Sequence, residues 1–298
     1  MSLATLARTH PRLIDWGIRL DRVPAVAWLG LQALALTPSW LWMAARLRDG
    51  SDDPLGLLAL GALAALVWRL RGELRASPRL GWLALATAGT LAATVLRASL
   101  PPLAASLLAV LALACGLVAF LPRRVAALPV AMLAVLALPL LSSLQFYAGY
   151  PLRVLTAEAS RWLLAPGFSV AREGSTLLVD GRLVIVDAPC SGVQMVWLGY
   201  FSACVVALWA ERTDRAFLAR LPVVGLLVLA GNIVRNSVLI AFEGAGQPLA
   251  PWAHGALGLL VLALVCGGIA RTMARPARAL ARLPATSATG GHRVHPAC

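Results

Sequence analysis

The sequence predicts an all-α polytopic membrane protein with about eight transmembrane helices, and two features of its composition point to that fold class. Of its 298 residues, 60% are hydrophobic and 13% are charged, whereas roughly a quarter of the residues in soluble domains are charged. Several uncharged stretches are also close to the ~20 residues that a helix needs to cross a bilayer. Together these features exclude a soluble domain with a large core.

The apolar stretches predict where the spans lie. We expect them at 25–45, 55–69, 81–97, 103–121, 125–143, 191–210, 221–242 and 253–270. The second is on the short side for a bilayer. The chain then divides into five regions: a cytoplasmic tail (1–24), a transmembrane bundle (25–143), an extracytoplasmic cap (144–190), a three-helix unit (191–270) and a basic tail (271–298) that we expect to be disordered.

The basic residues are all arginines, and their positions predict the orientation of the chain. The net charge is +13. The arginines concentrate in both tails and in the loops after the second, fourth and sixth spans, which all fall on one side if there are eight spans. Because short loops rich in basic residues stay cytoplasmic, both termini are predicted to be cytoplasmic. The spread of charge over short loops also argues against a nucleic-acid partner.

The cap region predicts a helix followed by a hairpin that leads into Cys190. In "PLRVLTAEASRWLLAPGF" the apolar residues recur on one helical face, which indicates an amphipathic helix at the membrane interface. That face contains Leu152, Leu155, Ala159, Trp162 and Leu163. The segments "STLLV" and "RLVIV" then flank Asp180-Gly181, a pattern typical of a β-hairpin with a type I′ turn.

Three polar residues are predicted to meet at one depth of the membrane. Cys190 opens the sixth span from its outer side. Arg235 lies about seven residues, or roughly 10 Å, below the outer end of the seventh span. His254 lies in the first turn of the eighth span, which begins at the outer side. The topology therefore brings the three to the outer leaflet on consecutive helices.

The surroundings of Cys190 favour a reactive thiol. Pro189 suits a first helical turn, and Asp187 or Ser191 is placed to cap it. A thiol at a helix N-terminus has its thiolate form favoured by the free N–H groups, and Gly192 leaves room for a peptide backbone to approach. The alternative is that Cys190 is a small buried hydrophobic residue, which is the commoner role of a cysteine.

Arg235 and His254 also have structural alternatives. An arginine within a span costs about 2.5–3.5 kcal/mol on insertion scales, so its presence suggests a function. Asn232 shares its helical face and is placed to hold the guanidinium. Alternatively, Arg235 extends towards the interface or pairs with Glu243. His254 taken alone resembles a polar anchor, and becomes a candidate acid/base only beside a thiol.

The three side chains together suit acyl transfer. The thiolate attacks an amide carbonyl, the imidazole takes the thiol proton and returns it to the leaving amine, and the guanidinium stabilises the oxyanion. Asp187 is a further candidate, to orient His254. The sequence has no CxxC pair and no Cys/His cluster with metal-ligand spacing, so we expect neither a metal nor a cofactor.

These residues resemble those of the exosortase/archaeosortase family. "APCSGVQMVW" contains Cys190, "NIVR" follows about forty residues later with Arg235, and His254 opens the last span. The segment that precedes the cysteine is also similar to the family, and the resemblance covers roughly residues 140–270. It implies that Cys190 is the nucleophile, and that Arg235 and His254 are the arginine and the histidine of the family's active site.

The resemblance implies a membrane cysteine transpeptidase of the bacterial cytoplasmic (inner) membrane, with its active site on the extracytoplasmic face. Its partners would be membrane lipid and exported proteins that end in a sorting signal. That signal has a short motif (Pro-Glu-Pro in the best-known branch), a transmembrane helix and a basic tail. The sequence around Cys190 departs from the most typical branch, which leaves the motif and the acceptor nucleophile open.

Two other functions remain compatible with the sequence. One is a transporter or assembly factor that uses Arg235 to bind an anionic solute or lipid, with Cys190 incidental. The other is a catalytically silent relative that only binds sorting signals. Substitution separates the first from a peptidase, because a peptidase loses all activity on Cys190→Ser, whereas a transporter tolerates that change and fails on Arg235→Ala.

Overall fold

The computed structural model describes residues 24–187 and 190–274, and these form eleven α-helices and one three-stranded sheet. The helices are α1 (Ala25–Ala35), α2 (Thr37–Arg48), α3 (Gly56–Arg69), α4 (Leu80–Val95), α5 (Pro102–Phe120), α6 (Ala127–Leu136), α7 (Leu141–Leu164), α8 (Val193–Trp209), α9 (Asp214–Leu218), α10 (Leu221–Gly244) and α11 (Pro251–Ala274). The strands are β1 (Val170–Glu173), β2 (Thr176–Val179) and β3 (Arg182–Ile185). Pro189, the N-terminal tail up to residue 23 and the C-terminal tail from residue 275 lie outside the described residues.

Within the described residues, four helical segments are long and apolar enough to cross a membrane. They are Leu80–Ala98, which is α4 with a short 3₁₀ turn, then α5, then Asp214–Gly244, which is α9 with α10, and α11. The pair α6 and α7 adds a fifth candidate, bent by 94°. The eight predicted spans are therefore not confirmed. The apolar helices α1, α3 and α8 have 11, 14 and 17 residues, which is less than a ~30 Å hydrocarbon core requires.

Two of the predicted spans are interrupted, and a proline accompanies each interruption. The stretch 25–45 divides at Leu36 into α1 and α2, and Pro38 lies in the first turn of α2. The stretch 125–143 divides after α6, and the chain passes through Pro139 before α7 begins. Proline lacks an N–H and disfavours helical geometry at the residue before it, so apolar composition alone does not keep a helix continuous there.

A buried carboxylate from a distant loop holds the start of α7. Oδ1 of Asp52 accepts hydrogen bonds from the N–H groups of Leu141, at 3.0 Å, and Ser142, at 3.3 Å. These groups belong to the first turn of α7, where a helix has no internal acceptors for its N–H groups. Nη2 of Arg46 lies 3.7 Å from the other carboxylate oxygen. The α2–α3 loop therefore fixes where the chain turns into α7.

The helix α7 exposes its apolar face and buries a face of small and polar residues. Leu155, Trp162 and Leu163 of the predicted amphipathic face are exposed. The opposite face packs against α10, where Ser160 and Ser237 share a hydrogen bond of 2.9 Å between their hydroxyl groups. This arrangement leaves the apolar side chains free to contact lipid while the polar contacts lie inside the protein.

The sheet follows α7 and has one strand more than the predicted hairpin. Its order is β1-β2-β3, with both pairs antiparallel. Asp180 and Gly181 connect β2 to β3 with φ of +48° and +82°, and the positive φ at both positions is what a type I′ turn requires. The sheet rests on the end of α10, where Gly244 lies against Val179.

Several loops meet at the end of the bundle away from the sheet. Arg124 forms ion pairs with Glu73, at 2.5 Å, and Glu211, at 3.0 Å. Glu73 follows α3, Arg124 follows α5 and Glu211 follows α8. Arg212 donates a hydrogen bond of 2.7 Å to the carbonyl of Met273 near the end of α11. The loops that the arginine distribution assigned to one side of the membrane thus lie together. That this side is cytoplasmic stays a prediction.

Candidate functional site

Cys190 lies in a short turn at the other end of the bundle, before α8. Its N–H donates to the carbonyl of Asp187 at 2.9 Å. Its own carbonyl accepts two hydrogen bonds, from Nδ2 of Asn232 at 3.3 Å and from Nδ2 of Asn236 at 3.1 Å. The helix begins only at Val193, so Cys190 is not in the first helical turn as predicted. Side chains of α10, rather than helix N–H groups, position it.

Gly192 has a different role from the predicted one. It is buried and adopts φ +84°. A Cβ atom at this position would lie 2.7 Å from Cγ of Asn232, which is too close. Glycine is therefore required at position 192, because the backbone has a positive φ there and packs closely against α10. It does not leave space for a substrate backbone.

Asn232 does not hold the guanidinium of Arg235, which was its predicted role. Its Nδ2 donates to Oγ1 of Thr156 at 3.1 Å as well as to the carbonyl of Cys190, and its main-chain carbonyl accepts from Asn236 at 2.8 Å. Both asparagines are buried. Their side chains connect α7, α10 and the turn that carries the thiol, so they fix the position of Cys190 relative to α10.

Ser191 connects the same turn to α7. Its hydroxyl group donates to Oε1 of Gln145 at 2.8 Å and accepts a weak hydrogen bond from the N–H of Val193 at 3.4 Å. Ser191 is buried. Gly192 rather than Ser191 occupies the N-cap position of α8, where no side-chain cap is formed, so the predicted capping role of Ser191 is not confirmed.

Arg235 and His254 are in direct contact. Nη2 of Arg235 lies 3.3 Å from Nε2 of His254. Because a guanidinium can only donate, a hydrogen bond between these atoms requires Nε2 of His254 to accept and the ring proton to be on Nδ1. In the described part of the chain, Arg235 and Glu243 form no ion pair, and Nε of Arg235 is buried without a hydrogen-bond partner. Gly258 on α11 lies beside this guanidinium, where a Cβ would be 3.4 Å from Nε.

Cys190 and His254 line the same cleft, which has a volume of about 380 Å³. One wall consists of β3 and the residues after it, including Asp187. The opposite wall consists of α10 and the α10–α11 loop, and Asn236 and Glu243 belong to it. Asp187 shares this cleft with His254. The structure thus brings together the thiol, the imidazole and, through the imidazole, the guanidinium.

The cleft does not favour the thiolate of Cys190 by itself. Burial raises the pKa of the thiol above its ordinary value. The positive charge of Arg235 lowers this pKa, whereas the negative charges of Asp187 and Glu243 raise it further. The sequence predicted a thiolate stabilised by helix N–H groups, but the net direction is the opposite. A base is therefore needed to activate the thiol at neutral pH.

Sequence reasoning missed three polar residues that hold the turn of Cys190. Asn236 follows Asn232 by four residues, and this i, i+4 spacing places the two on one face of α10. Thr156 and Gln145 lie on α7, and nothing local distinguishes them from other polar residues of that helix. In residues 24–187 and 190–274, no group of three or more His, Cys, Asp or Glu side chains is arranged to bind a metal.

Comparison with known proteins gives one match. A family model described as "Transmembrane exosortase" matches residues 42–270, which is more than three quarters of the chain. The matched range includes Cys190, Arg235 and His254. Comparisons with curated proteins and with solved structures gave no match.

Proposed function

This chain belongs to the transmembrane exosortase family, and from that membership we propose that it is a membrane cysteine transpeptidase or endopeptidase with Cys190 as its nucleophile. In this proposal His254 is the general acid and base, and Arg235 stabilises the oxyanion or holds the substrate. The observation that carries the proposal is the cleft that Cys190 shares with His254, whose ring is in contact with Arg235. A thiol, a proton acceptor and a fixed cation are the groups that acyl transfer from an amide needs.

The contact between Arg235 and His254 suggests an order of events. While Nη2 donates to Nε2 of His254, that nitrogen is occupied and does not take the thiol proton. When the scissile carbonyl enters the cleft, the guanidinium transfers its hydrogen bond to the carbonyl oxygen. Nε2 of His254 then becomes free to accept the proton of Cys190. Substrate binding and activation of the nucleophile are coupled in this way.

The covalent steps follow from these positions. The sulfur of Cys190 bonds to the carbonyl carbon, and Arg235 stabilises the negative charge on the oxygen. The C–N bond then breaks, and the leaving amine takes the proton held by His254. The resulting thioester is attacked by an amine or water, which gives up a proton to His254. The C–S bond breaks, and the thiolate of Cys190 regains that proton.

We propose that the substrates are exported proteins with a C-terminal sorting signal and that the cleft lies at the outer face of the bacterial cytoplasmic membrane. The substrate's own transmembrane helix would lie in the same bilayer and hold the cleavage site at the depth of Cys190. Such anchoring raises the effective concentration of the substrate. The grouping of the arginine-rich loops at the opposite end of the bundle supports this orientation.

The experiment that tests the function replaces Cys190 with Ala on the chromosome, with Cys266→Ala as the control. Cys266 lies on α11 and contacts only the hydroxyl of Ser202 among the hydrogen bonds of the described residues. The C-termini of exported proteins that end in a helix and a basic tail are then compared by membrane proteomics. We expect such tails to persist only in Cys190→Ala cells. Unchanged C-termini in cells that contain the variant protein would favour the transport function instead.

A further inference from the structure

The strand β3 has one free edge. In the ladder with β2, the N–H of Val186 donates to the carbonyl of Ser175 at 3.0 Å. Main-chain groups of an antiparallel strand point alternately to the two sides. Those of residues 182, 184 and 186 therefore face β2, and those of Leu183 and Ile185 face away from it. Among the described residues, the N–H and C=O groups of Leu183 and Ile185 have no main-chain partner.

This free edge is a wall of the cleft that contains Cys190. The four consecutive residues 183–186 all line the cleft. Successive side chains of a strand point to opposite faces of the sheet. A cleft that is lined by four consecutive residues therefore lies along the edge of the strand rather than over one face. The side chains of Leu183 and Ile185 are 66% and 54% exposed. The chain then continues from this edge into Cys190, five residues after Ile185.

The opposite wall of the cleft combines apolar residues with Asn236, Glu243 and His254. It contains Leu239 and Ile240 of α10, and Pro248 and Leu249 of the following loop. The volume of about 380 Å³ between the walls lies within the range of known ligand sites, roughly 300–1,000 Å³. A strand placed here would have its main chain against β3 and its side chains beside the residues of the opposite wall.

We propose that the substrate binds as an added strand on the free edge of β3, which delivers its scissile carbonyl to Cys190. The ligand is an extended polypeptide segment next to the cleavage site. Its main-chain groups satisfy those of Leu183 and Ile185, as in other cases of β-strand addition. This inference rests on the proposed function. It assigns β3 a role in substrate positioning that does not depend on the sequence of the sorting signal.

The first test removes one main-chain donor from the free edge. Ile185→Pro eliminates an N–H that faces away from β2, and proline is tolerated on edge strands. Ile185→Ala is the matched control, because it shortens the side chain but keeps the N–H. We expect Ile185→Pro to slow substrate processing by about tenfold or more, as loss of roughly one hydrogen bond does, and Ile185→Ala to have a smaller effect. Equal processing by the two variants would overturn the proposal.

Cys190→Ala, measured in the same cells, separates this inference from the function itself. If Cys190→Ala processes substrates normally, the proposed function is wrong. If Cys190→Ala is inactive and Ile185→Pro is fully active, only the strand addition is wrong. Membrane content and thermal stability of each variant are measured alongside, because a loss of activity counts only for folded protein.

The second test leaves the enzyme unchanged and so does not depend on folding of a variant. The probe is a synthetic peptide that spans the cleavage site of a protein whose tail persists in Cys190→Ala cells. Each main-chain nitrogen is methylated in turn, and cleavage by the purified full-length protein is measured. Since only alternate N–H groups of an added strand face β3, we expect inhibition at every second position. Inhibition without this alternation, or none at all, contradicts strand addition.

Discussion

Nη2 of Arg235 lies 3.3 Å from Nε2 of His254, which joins α10 to the first turn of α11 beside the cleft of Cys190. A hydrogen bond here requires the imidazole to carry its proton on Nδ1, and it leaves the guanidinium with donors that His254 does not use. One side chain can therefore hold the proposed base in place before the substrate binds and stabilise the oxyanion afterwards. We therefore predict what happens when the shape or the charge of the side chain at position 235 is changed.

Arg235→Lys is expected to lower the rate of cleavage by about 100- to 1,000-fold, the usual effect of losing an oxyanion donor. Lysine keeps the positive charge, but its ammonium is a point charge without the fork of guanidinium donors. The rate is measured on purified protein with a sorting-signal peptide. Arg153→Lys is the matched control, because Arg153 lies on α7 with its guanidinium over Tyr150. A similar loss in both variants would mean that the effect is not specific to the cleft.

Removing charges near Cys190 is expected to shift the pH dependence of its alkylation. Glu243→Gln takes away a negative charge that raises the thiol pKa, so the rate should rise at lower pH than in the parent. Arg235→Gln takes away a positive charge that lowers this pKa, so its curve should move to higher pH. The rate of iodoacetamide labelling is followed in a background in which Cys190 is the single cysteine.

Glu211→Gln controls for the alkylation experiment, since Glu211 pairs with Arg124 at the opposite end of the bundle. Its curve should coincide with that of the parent. Shifts in the same direction for Glu243→Gln and Arg235→Gln would contradict the assignment of charges around the thiol.

Gly192→Ala is expected to destabilise the protein. The substitution forces a residue with a Cβ into φ +84° and towards the amide of Asn232, and strain of this kind costs about 1–3 kcal/mol. The melting temperature in detergent should fall, and cleavage should fall with it because the turn of Cys190 moves. Gly255→Ala is the control, because a Cβ there meets no atom within 4 Å. An unchanged melting temperature for Gly192→Ala would show that the turn is not held against Asn232.

Asp52→Ala is expected to lower stability more than Asp53→Ala does. Asp52 is buried and accepts hydrogen bonds from two N–H groups at the start of α7, whereas Asp53 is exposed and accepts one from Gln194. Loss of a helix cap costs about 0.5–2 kcal/mol. Melting temperatures of the two variants, in detergent at one pH, test the difference. Equal values would mean that the carboxylate of Asp52 does not hold α7.

Much of the site could be predicted from the sequence because its parts depend on local properties. Span lengths follow from hydrophobicity, and the order of the spans places Cys190 and His254 at the same end of the bundle. The turn at Asp180-Gly181 has the backbone geometry that its residues favour. The eight predicted spans are not confirmed, because prolines and helix ends divide apolar stretches that composition treats as continuous.

The contacts around Cys190 depended on packing between residues far apart in the chain. Asn232 turned towards the carbonyl of Cys190 and Thr156 rather than towards Arg235, because α7 and the turn before α8 occupy that side of α10. The bonds that fix the turn join residues 42 to 76 positions apart. No periodicity within a single helix specifies such partners.

The sequence by itself determined that this is a helical membrane protein and that Cys190, Arg235 and His254 belong to three apolar segments that follow one another along the chain, because hydrophobic length and helical rise are properties of each segment alone. Only the tertiary structure decided which atoms meet. It partly buried the thiol and raised its pKa, assigned Gly192 to the packing against Asn232, and opened the free edge of β3 to the cleft. Burial and electrostatic environment are set by neighbouring elements, so they become defined only when the helices pack together.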